Sequence, residues 1–316
     1  MGETVSILGA KGRCGRAAVA AFLDAGWNVR AVARGWDLTE KQPNVNYVEC
    51  DAKVQLQLEN AVAGSDVVVN ALNPLYTEWE NEVPLLTGAV IGAAKSAGAT
   101  IIVPGNVYVY GNTMPEVLTE ETPHIPTGKL GKIRIEMERA YADAAKGGVQ
   151  TILLRGGDFI EGVNSGNWFE DQMVAKLPKA RFIYPGPLES VHAWAYLPDF
   201  ARGMVELANI RSTLGPFEDV GFSGFNLTGQ QLALHLSDIC GQPLKVGKVP
   251  WRLMQVLKWF LPVLHGVIEM SYLWRLPHVI DGTKFKRLLP NFQPTLPEDA
   301  LQEAVTGLFP NLCKET

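Results

Sequence analysis

The sequence has no excess of basic charge, no paired cysteines and no long apolar run. Lys plus Arg number 28 against 33 Asp plus Glu, a formal net charge of −5. That balance offers no broad cationic surface, so neither nucleic acid nor a membrane is expected as a partner. The four cysteines, Cys14, Cys50, Cys240 and Cys313, are scattered without CxxC spacing, which argues against a disulfide scaffold or a Cys-based zinc site. No metal site is expected. The most apolar stretch, 259–268 (WFLPVLHGVI), holds a proline and a histidine and is far too short to span a bilayer. The first residues enter a strand pattern at once, without a signal-peptide pattern. With 316 residues, 47% hydrophobic and 19% charged, the chain can bury a sizeable core. The expectation is a cytoplasmic protein handling a small molecule.

What is present is an alternation. Short Val/Ile-rich runs at 5–8, 29–33, 45–49, 67–70 and 101–104 show little polar alternation, as strands covered on both faces should. Helical patterns lie between them at 15–25, 54–63 and 79–98, each ending near a glycine. A further helix at 132–146 leads to a sixth strand at 149–155. This order predicts an α/β, Rossmann-type, doubly wound parallel sheet. Glycine and proline thicken after 160, and apolar residues cover most faces of 244–276. The expected division is a dinucleotide-binding core over 1–225, with 160–190 contributing to the substrate cleft, and a smaller, mostly helical C-terminal substrate lobe over 226–316.

Gly9, Gly12 and Gly15 form G-A-K-G-R-C-G between the first strand and the first helix. The first glycine suits a tight turn, the second lets backbone approach a pyrophosphate, and the third brings helix and strand together. Arg13 and Cys14 stand with Gly15 where a helix N-terminus would hold the pyrophosphate. An acid closing the second strand would select NAD by binding the ribose 2′-OH. That strand closes instead on Arg34, and the nearest acid is Asp37. Lys11, Arg13 and Arg34 could cage a 2′-phosphate, which favours NADP over NAD.

Five further segments accompany the glycine loop: Cys50-Asp51-Ala52, Val109-Tyr110-Gly111, Glu121-Thr122-Pro123, Leu154-Arg155-Gly156-Gly157 and Phe225-Asn226-Leu227-Thr228. With the segment 192–199 (HAWAYLPD), they give a chain that resembles the extended short-chain dehydrogenase/reductase (NAD-dependent epimerase/dehydratase-like) family to about Ala304. The resemblance implies that Asp51 and Ala52 contact the adenine and that Ala71, Leu72 and Asn73 pass under the cofactor. Pro104, Gly105, Gly156 and Gly157 would lie near the nicotinamide. A homodimer is also implied.

The usual catalytic residues of that family are missing. Its serine, three residues before the V-Y-G tripeptide, is Asn106 here. Its Tyr-x-x-x-Lys helix aligns with Leu130 at the tyrosine and Arg134 at the lysine. Leucine cannot donate a proton, and arginine cannot relay one at neutral pH. Tyr141 and Lys146 are five residues apart and do not stack on a helix face. Tyr108, leaving the C-terminal end of a parallel strand, is the preferred substitute donor, with Lys132, Asp158, His192 and Tyr76 in reserve. Asn106 could hydrogen-bond a substrate carbonyl, and Arg134 could keep a positive charge beside the nicotinamide ribose. Against these roles, Tyr108 could be a packed strand-end aromatic and His192 a core histidine.

The aromatic C-terminal lobe suits an apolar or aromatic substrate. Arg252 and Lys258 are too few cations to argue for a membrane-surface helix. The leading expectation is an NADP-dependent oxidoreductase acting on a carbonyl or activated double bond of a small apolar or aromatic molecule. The alternatives are a non-catalytic NADP(H)-binding regulator, resembling nitrogen-metabolite-repressor-like sensors, and a nucleotide-sugar epimerase or dehydratase.

Overall fold

A computed structural model describes residues 2–36, 42–163 and 165–312. Along the chain, β1 (Thr4–Leu8), α1 (Arg13–Asp24), β2 (Asn28–Ala33), β3 (Val45–Glu49), α2 (Gln55–Val62), β4 (Val67–Asn70), α3 (Trp79–Ala97) and β5 (Thr100–Gly105) follow the expected order within one to three residues at each end. A 3₁₀ turn at Tyr108–Thr113 and the short β6 (Val117–Leu118) precede α4 (Lys129–Lys146) and β7 (Thr151–Arg155).

The chain then leaves the core through β8 (Asp158–Ile160), β9 (Arg181–Tyr184) and β10 (Val191–Tyr196). It returns in α5 (Leu197–Asn209) and β11 (Phe217–Gly221), and departs again through β12 (Phe225–Thr228). Then come α6 (Gly229–Ile239), β13 (Lys245–Lys248), α7 (Trp251–Leu257), α8 (Val263–Glu269), β14 (Val279–Ile280), α9 (Thr283–Leu288) and α10 (Pro297–Leu308).

The central sheet has seven strands in the order β11-β7-β5-β4-β1-β2-β3, all parallel. The order reverses between β1 and β4, the switch point where such sheets bind ligands. Register explains the apolar strands. Val5 and Ile7 of β1, Val67 and Val69 of β4, and Ile102 of β5 pack with Phe22 of α1 and Phe200 and Met204 of α5. Their neighbours Leu8, Val68, Ile101 and Val103 turn to the opposite face, against Leu58 of α2, Val90 of α3 and Tyr141 of α4. Both faces are covered, so no polar alternation is needed.

The lobe draws on two stretches of chain, before and after α5–β11. Besides its helices it contains a three-stranded sheet, β12-β10-β8, and the parallel pair β9–β13. Its own core gathers Phe169, Phe182, Trp194, Leu232 and Leu301. No helix among the described residues is long and apolar enough to cross a membrane.

Candidate cofactor and active site

The glycine loop closes tightly on itself. Gly9 takes φ +73° while its amide donates to the Val32 carbonyl at 3.0 Å. A Cβ at Gly15 would lie 2.2 Å from the Gly9 carbonyl oxygen, so only glycine lets α1 start this close to β1. The N-cap Gly12 makes no side-chain cap, and the first turn of α1 carries no acid. Free N–H groups and the positive end of the helix dipole therefore face outward at the switch point, an arrangement that fits a pyrophosphate. Burial pushes the Cys14 thiol up to about 12, so its role is that of a small side chain in a crowded loop.

At the ribose end the three cations part company. Lys11 Nζ donates to the Gly35 carbonyl at 2.7 Å and the Arg34 carbonyl at 3.3 Å, and Arg34 itself is exposed. Arg13 turns toward the lobe instead, with Nε 3.5 Å from Glu161 and its guanidinium 5.6 Å from the centre of the Phe159 ring. The expected three-residue cage is thus a pair, Lys11 and Arg34. A carboxylate overlooked in the sequence stands beside it. Glu49, closing β3, accepts from the amides of Gly35 at 2.7 Å and Trp36 at 3.2 Å, which hold its carboxyl below the usual range. Asp37 lies outside the described residues. Asp51 Oδ1 accepts from the Lys53 amide at 3.1 Å, and Ala52 is buried. Ala71 and Leu72 are half-buried and Asn73 is exposed in the loop after β4, and a Cβ at Gly9 would meet the Ala71 carbonyl at 2.8 Å.

At the other end, β5 delivers Pro104, Gly105 and Asn106. Arg134 is buried and directed inward from α4, and its Nη2 donates to the Pro104 carbonyl at 2.6 Å. Among the described residues no carboxylate pairs with it. Its Nε has no partner, and burial lowers its pKa. Asn106 Oδ1 accepts from the Tyr108 amide at 3.0 Å. The Tyr108 hydroxyl lies 2.7 Å from that of Tyr76, which comes from the loop before α3. Trp79 packs against both rings. Burial pushes the Tyr108 phenol well above its ordinary value and raises that of Tyr76 as well.

The charges of Asp158, Arg13 and Arg134 lie near enough to act on the Tyr76 phenol, after burial and its contact with Tyr108. Asp158, at the start of β8, is 2.6 Å from Nε2 of the buried His192, whose ring stacks on Trp274 at 4.4 Å. His192 is therefore both a core histidine and the support of a carboxylate that is part-exposed. Gly156 is close-packed against the Phe200 ring of α5 and Gly157 against the Ala193 carbonyl of β10, so their missing side chains let both elements approach the end of β7.

One expectation on α4 is corrected by this geometry, and the separation of Tyr141 from Lys146 agrees with their spacing. Lys132 is exposed on α4, about 200° round the helix from Arg134, and is not brought to the tyrosines. Tyr141 accepts from Asn70 Nδ2 at 2.8 Å inside the core, while Lys146 pairs with Asp143 at the surface.

Behind the site lies a buried ionic cluster. Arg155, ending β7, donates to Glu138 of α4 at 3.0 and 3.2 Å, to Asp219 of β11 at 2.6 Å and to the Asn106 carbonyl at 2.5 Å. His124, Glu138 and Asp219 bring ligand atoms within 4.8 Å of one another, but the Arg155 guanidinium already bridges the two carboxylates. The lobe contributes a contact that no local sequence signal announces. Glu269, ending α8, accepts from the Leu130 amide at 2.7 Å and so caps α4, whose own N-cap Gly128 offers no side chain.

Residues 9–165 match the family model for NAD(P)H-binding proteins. Over that stretch the chain resembles NAD(P)H-binding proteins, and as a whole it shares its fold with solved sugar-nucleotide epimerase structures. Among solved structures, a nucleoside-diphosphate-sugar epimerase from Pseudomonas aeruginosa superposes with a TM-score of 0.75 at 17% identity, over 98% of both chains. UDP-glucose-4-epimerase from Stenotrophomonas maltophila, solved with NAD and formylated UDP-arabinopyranose, gives 0.76 at 14% identity, over 97% of this chain and 98% of that one. MoeE5 in complex with UDP-glucose and NAD gives 0.74 at 16%, over 96% and 98%. No curated protein matches by sequence.

Proposed function

We propose that this protein is an NADP-dependent oxidoreductase that reduces a carbonyl or activated double bond of a small apolar or aromatic molecule. The observation that carries the reading is the half-buried Tyr76–Tyr108 hydroxyl pair just past β5, 2.7 Å apart and within reach of the Arg134 charge. NADPH, when bound, supplies the hydride. The chain's own residues would position the substrate oxygen and protonate it. Asn106 spends Oδ1 on the Tyr108 amide, leaving its Nδ2 donors for a substrate carbonyl. Tyr108 holds its proton at Oη because burial disfavours phenolate, and Tyr76 can replace that proton along the 2.7 Å contact. Burial keeps Tyr108 protonated at neutral pH but also makes it a weak acid, so the Arg134 charge has to offset the phenolate left when the proton is given up. Arg134 supplies a fixed positive charge to the developing oxyanion. Lys11 and Arg34 support NADP, with Glu49 occupied by the Gly35 and Trp36 amides.

A nucleotide-sugar epimerase is the second reading, favoured by the fold shared with structures solved with UDP-sugars. It needs a base at a sugar hydroxyl, the role a raised phenol pKa suits least. The deciding experiment sets NADPH oxidation over a panel of aldehydes, ketones and enones against epimerisation of UDP-glucose with NAD. Turnover in the first panel alone supports the proposal. Turnover in the second alone replaces it, and binding without turnover in either leaves a dinucleotide-binding regulator. For the cofactor, Arg34→Asp is expected to weaken NADP binding at least about tenfold and leave NAD unchanged. Equal losses for both would remove the 2′-phosphate role.

A further inference from the structure

The connection from β13 through α8 differs in charge from the rest of the molecule. The chain as a whole is acidic, yet no Asp or Glu occurs between Asp238 and Glu269, while Lys245, Lys248, Arg252 and Lys258 all fall there. Lys245, Lys248 and Arg252 are exposed. Whole-chain charge therefore hides a local cationic segment.

The same segment carries the most exposed large apolar side chains of the described residues. Trp259 is 77% and Phe260 78% exposed at the turn between α7 and α8. Leu253, Val256, Leu261 and Val263 are each about half or more exposed on either side. Neither α7 nor α8 buries a single residue fully. A large apolar tip with no protein cover costs solubility and calls for a partner. An indole and a phenyl at the tip, in a stretch of chain with four cations and no acid before Glu269, match the chemistry of an anionic bilayer surface. The aromatic rings sit at headgroup level and the cations face lipid phosphates. Lys258 Nζ lies 5.7 Å from the centre of the Trp259 ring, which places one charge directly behind the tip. Each helix has only seven residues, so the element can lie in the interface and cannot span the bilayer.

We propose that the α7–α8 hairpin docks the protein on anionic lipid surfaces, with Trp259 and Phe260 inserted among the headgroups. The hairpin also roofs the site. Gly266 of α8 is packed so closely on Tyr76 that a Cβ there would meet the ring at 2.9 Å, and Glu269 caps α4. Lipid docking would thus bring the tyrosine pair beside the membrane, although the proposal stands whatever reaction the site performs.

The test is flotation of the full-length protein with phosphatidylcholine vesicles, with and without 30% phosphatidylglycerol, paired with sedimentation analysis of its mass in solution. The expected result is binding to the anionic vesicles about tenfold or more above the neutral ones, weakened by salt. Trp259→Glu/Phe260→Glu is expected to abolish binding, and Arg252→Glu/Lys258→Glu to remove the preference for anionic lipid. Trp259, Phe260 and Arg252 are exposed and Lys258 is half-exposed, and an unchanged melting temperature verifies that each pair keeps the fold. Failure to bind either vesicle overturns the proposal. So does binding that survives Trp259→Glu/Phe260→Glu, and so does a dimer that this variant dissociates with no lipid binding, which assigns the tip to a second copy of the chain.

Discussion

The hydroxyls of Tyr76 and Tyr108 meet at 2.7 Å although 32 residues separate them in the chain. One leaves the loop before α3 and the other the end of β5, so the pair exists only because β4 and β5 are neighbours in the sheet. The buried Arg134 acts on both phenols.

Removing the Tyr108 hydroxyl separates proton transfer from binding. Tyr108→Phe is expected to lower kcat for reduction by about 10²–10⁴ while the cofactor Kd stays unchanged. Tyr76→Phe is expected to fall between that variant and the wild type, since Tyr108 keeps its own proton. Steady-state kinetics and a fluorescence titration of NADPH check both. Because burial raises the Tyr108 phenol, the rate of reduction should also be flat with pH from neutrality to pH 10. A decline beginning near pH 8 would assign the donor elsewhere.

Gly15→Ala tests the glycine loop. Its added methyl would fall 2.2 Å from the Gly9 carbonyl, so α1 must move away from β1. Dinucleotide binding should be lost by at least about tenfold for NAD and NADP alike, as the pyrophosphate contacts are common to both. Isothermal titration with each nucleotide measures it, and an unaltered affinity would refute the role given to this turn.

Arg155 holds four elements together: β5 through the Asn106 carbonyl, α4 through Glu138, β11 through Asp219, and β7 on which it sits. Burial works against its charge, and the two carboxylates more than restore it. Arg155→Met should cost about 3–5 kcal/mol in chemical denaturation, because it strands two buried carboxylates. The triple change Arg155→Met, Glu138→Gln and Asp219→Asn should recover part of that loss. A single variant as stable as the wild type would show that the cluster carries no such burden.

His278 makes stability fall in acid. Burial, reinforced by His192 alongside it, lowers its pKa from the ordinary 6.5 to about 3. Between those values the unfolded chain binds a proton that the native state refuses, so stability rises with pH and is lost as pH falls below about 6.5. The contribution approaches about 1.4 kcal/mol per pH unit. His278→Asn, whose amide can still donate to the Leu276 carbonyl, should flatten the decline between pH 6.5 and 5 in urea titrations. An identical slope would assign the acid sensitivity to other groups.

The sheet was legible in the chain because its strands are buried on both faces. Unbroken Val/Ile runs, glycine at helix ends and the G-x-x-G-x-x-G loop are all local signals, and each landed within a few residues of its element. The cofactor loop needed only sequence-adjacent residues, since Gly9, Gly12 and Gly15 shape one turn. The side chains around it did not follow from adjacency. Arg13, next to Gly12, turns to Glu161, and the acid beside Lys11 comes from the end of β3.

What the sequence by itself determined, then, is the Rossmann core and the glycine-rich loop between β1 and α1. Only tertiary structure decided which distant side chains meet beside it. Tyr76 meeting Tyr108, His192 supporting Asp158 and Glu269 capping α4 join residues 32, 34 and 139 positions apart. Such pairings depend on strand order and on the docking of the lobe, and neither has a local period or motif to announce it. The exposed Trp259 tip is the converse case. Its apolar residues read as core along the chain, and only the fold shows that nothing among the described residues covers them.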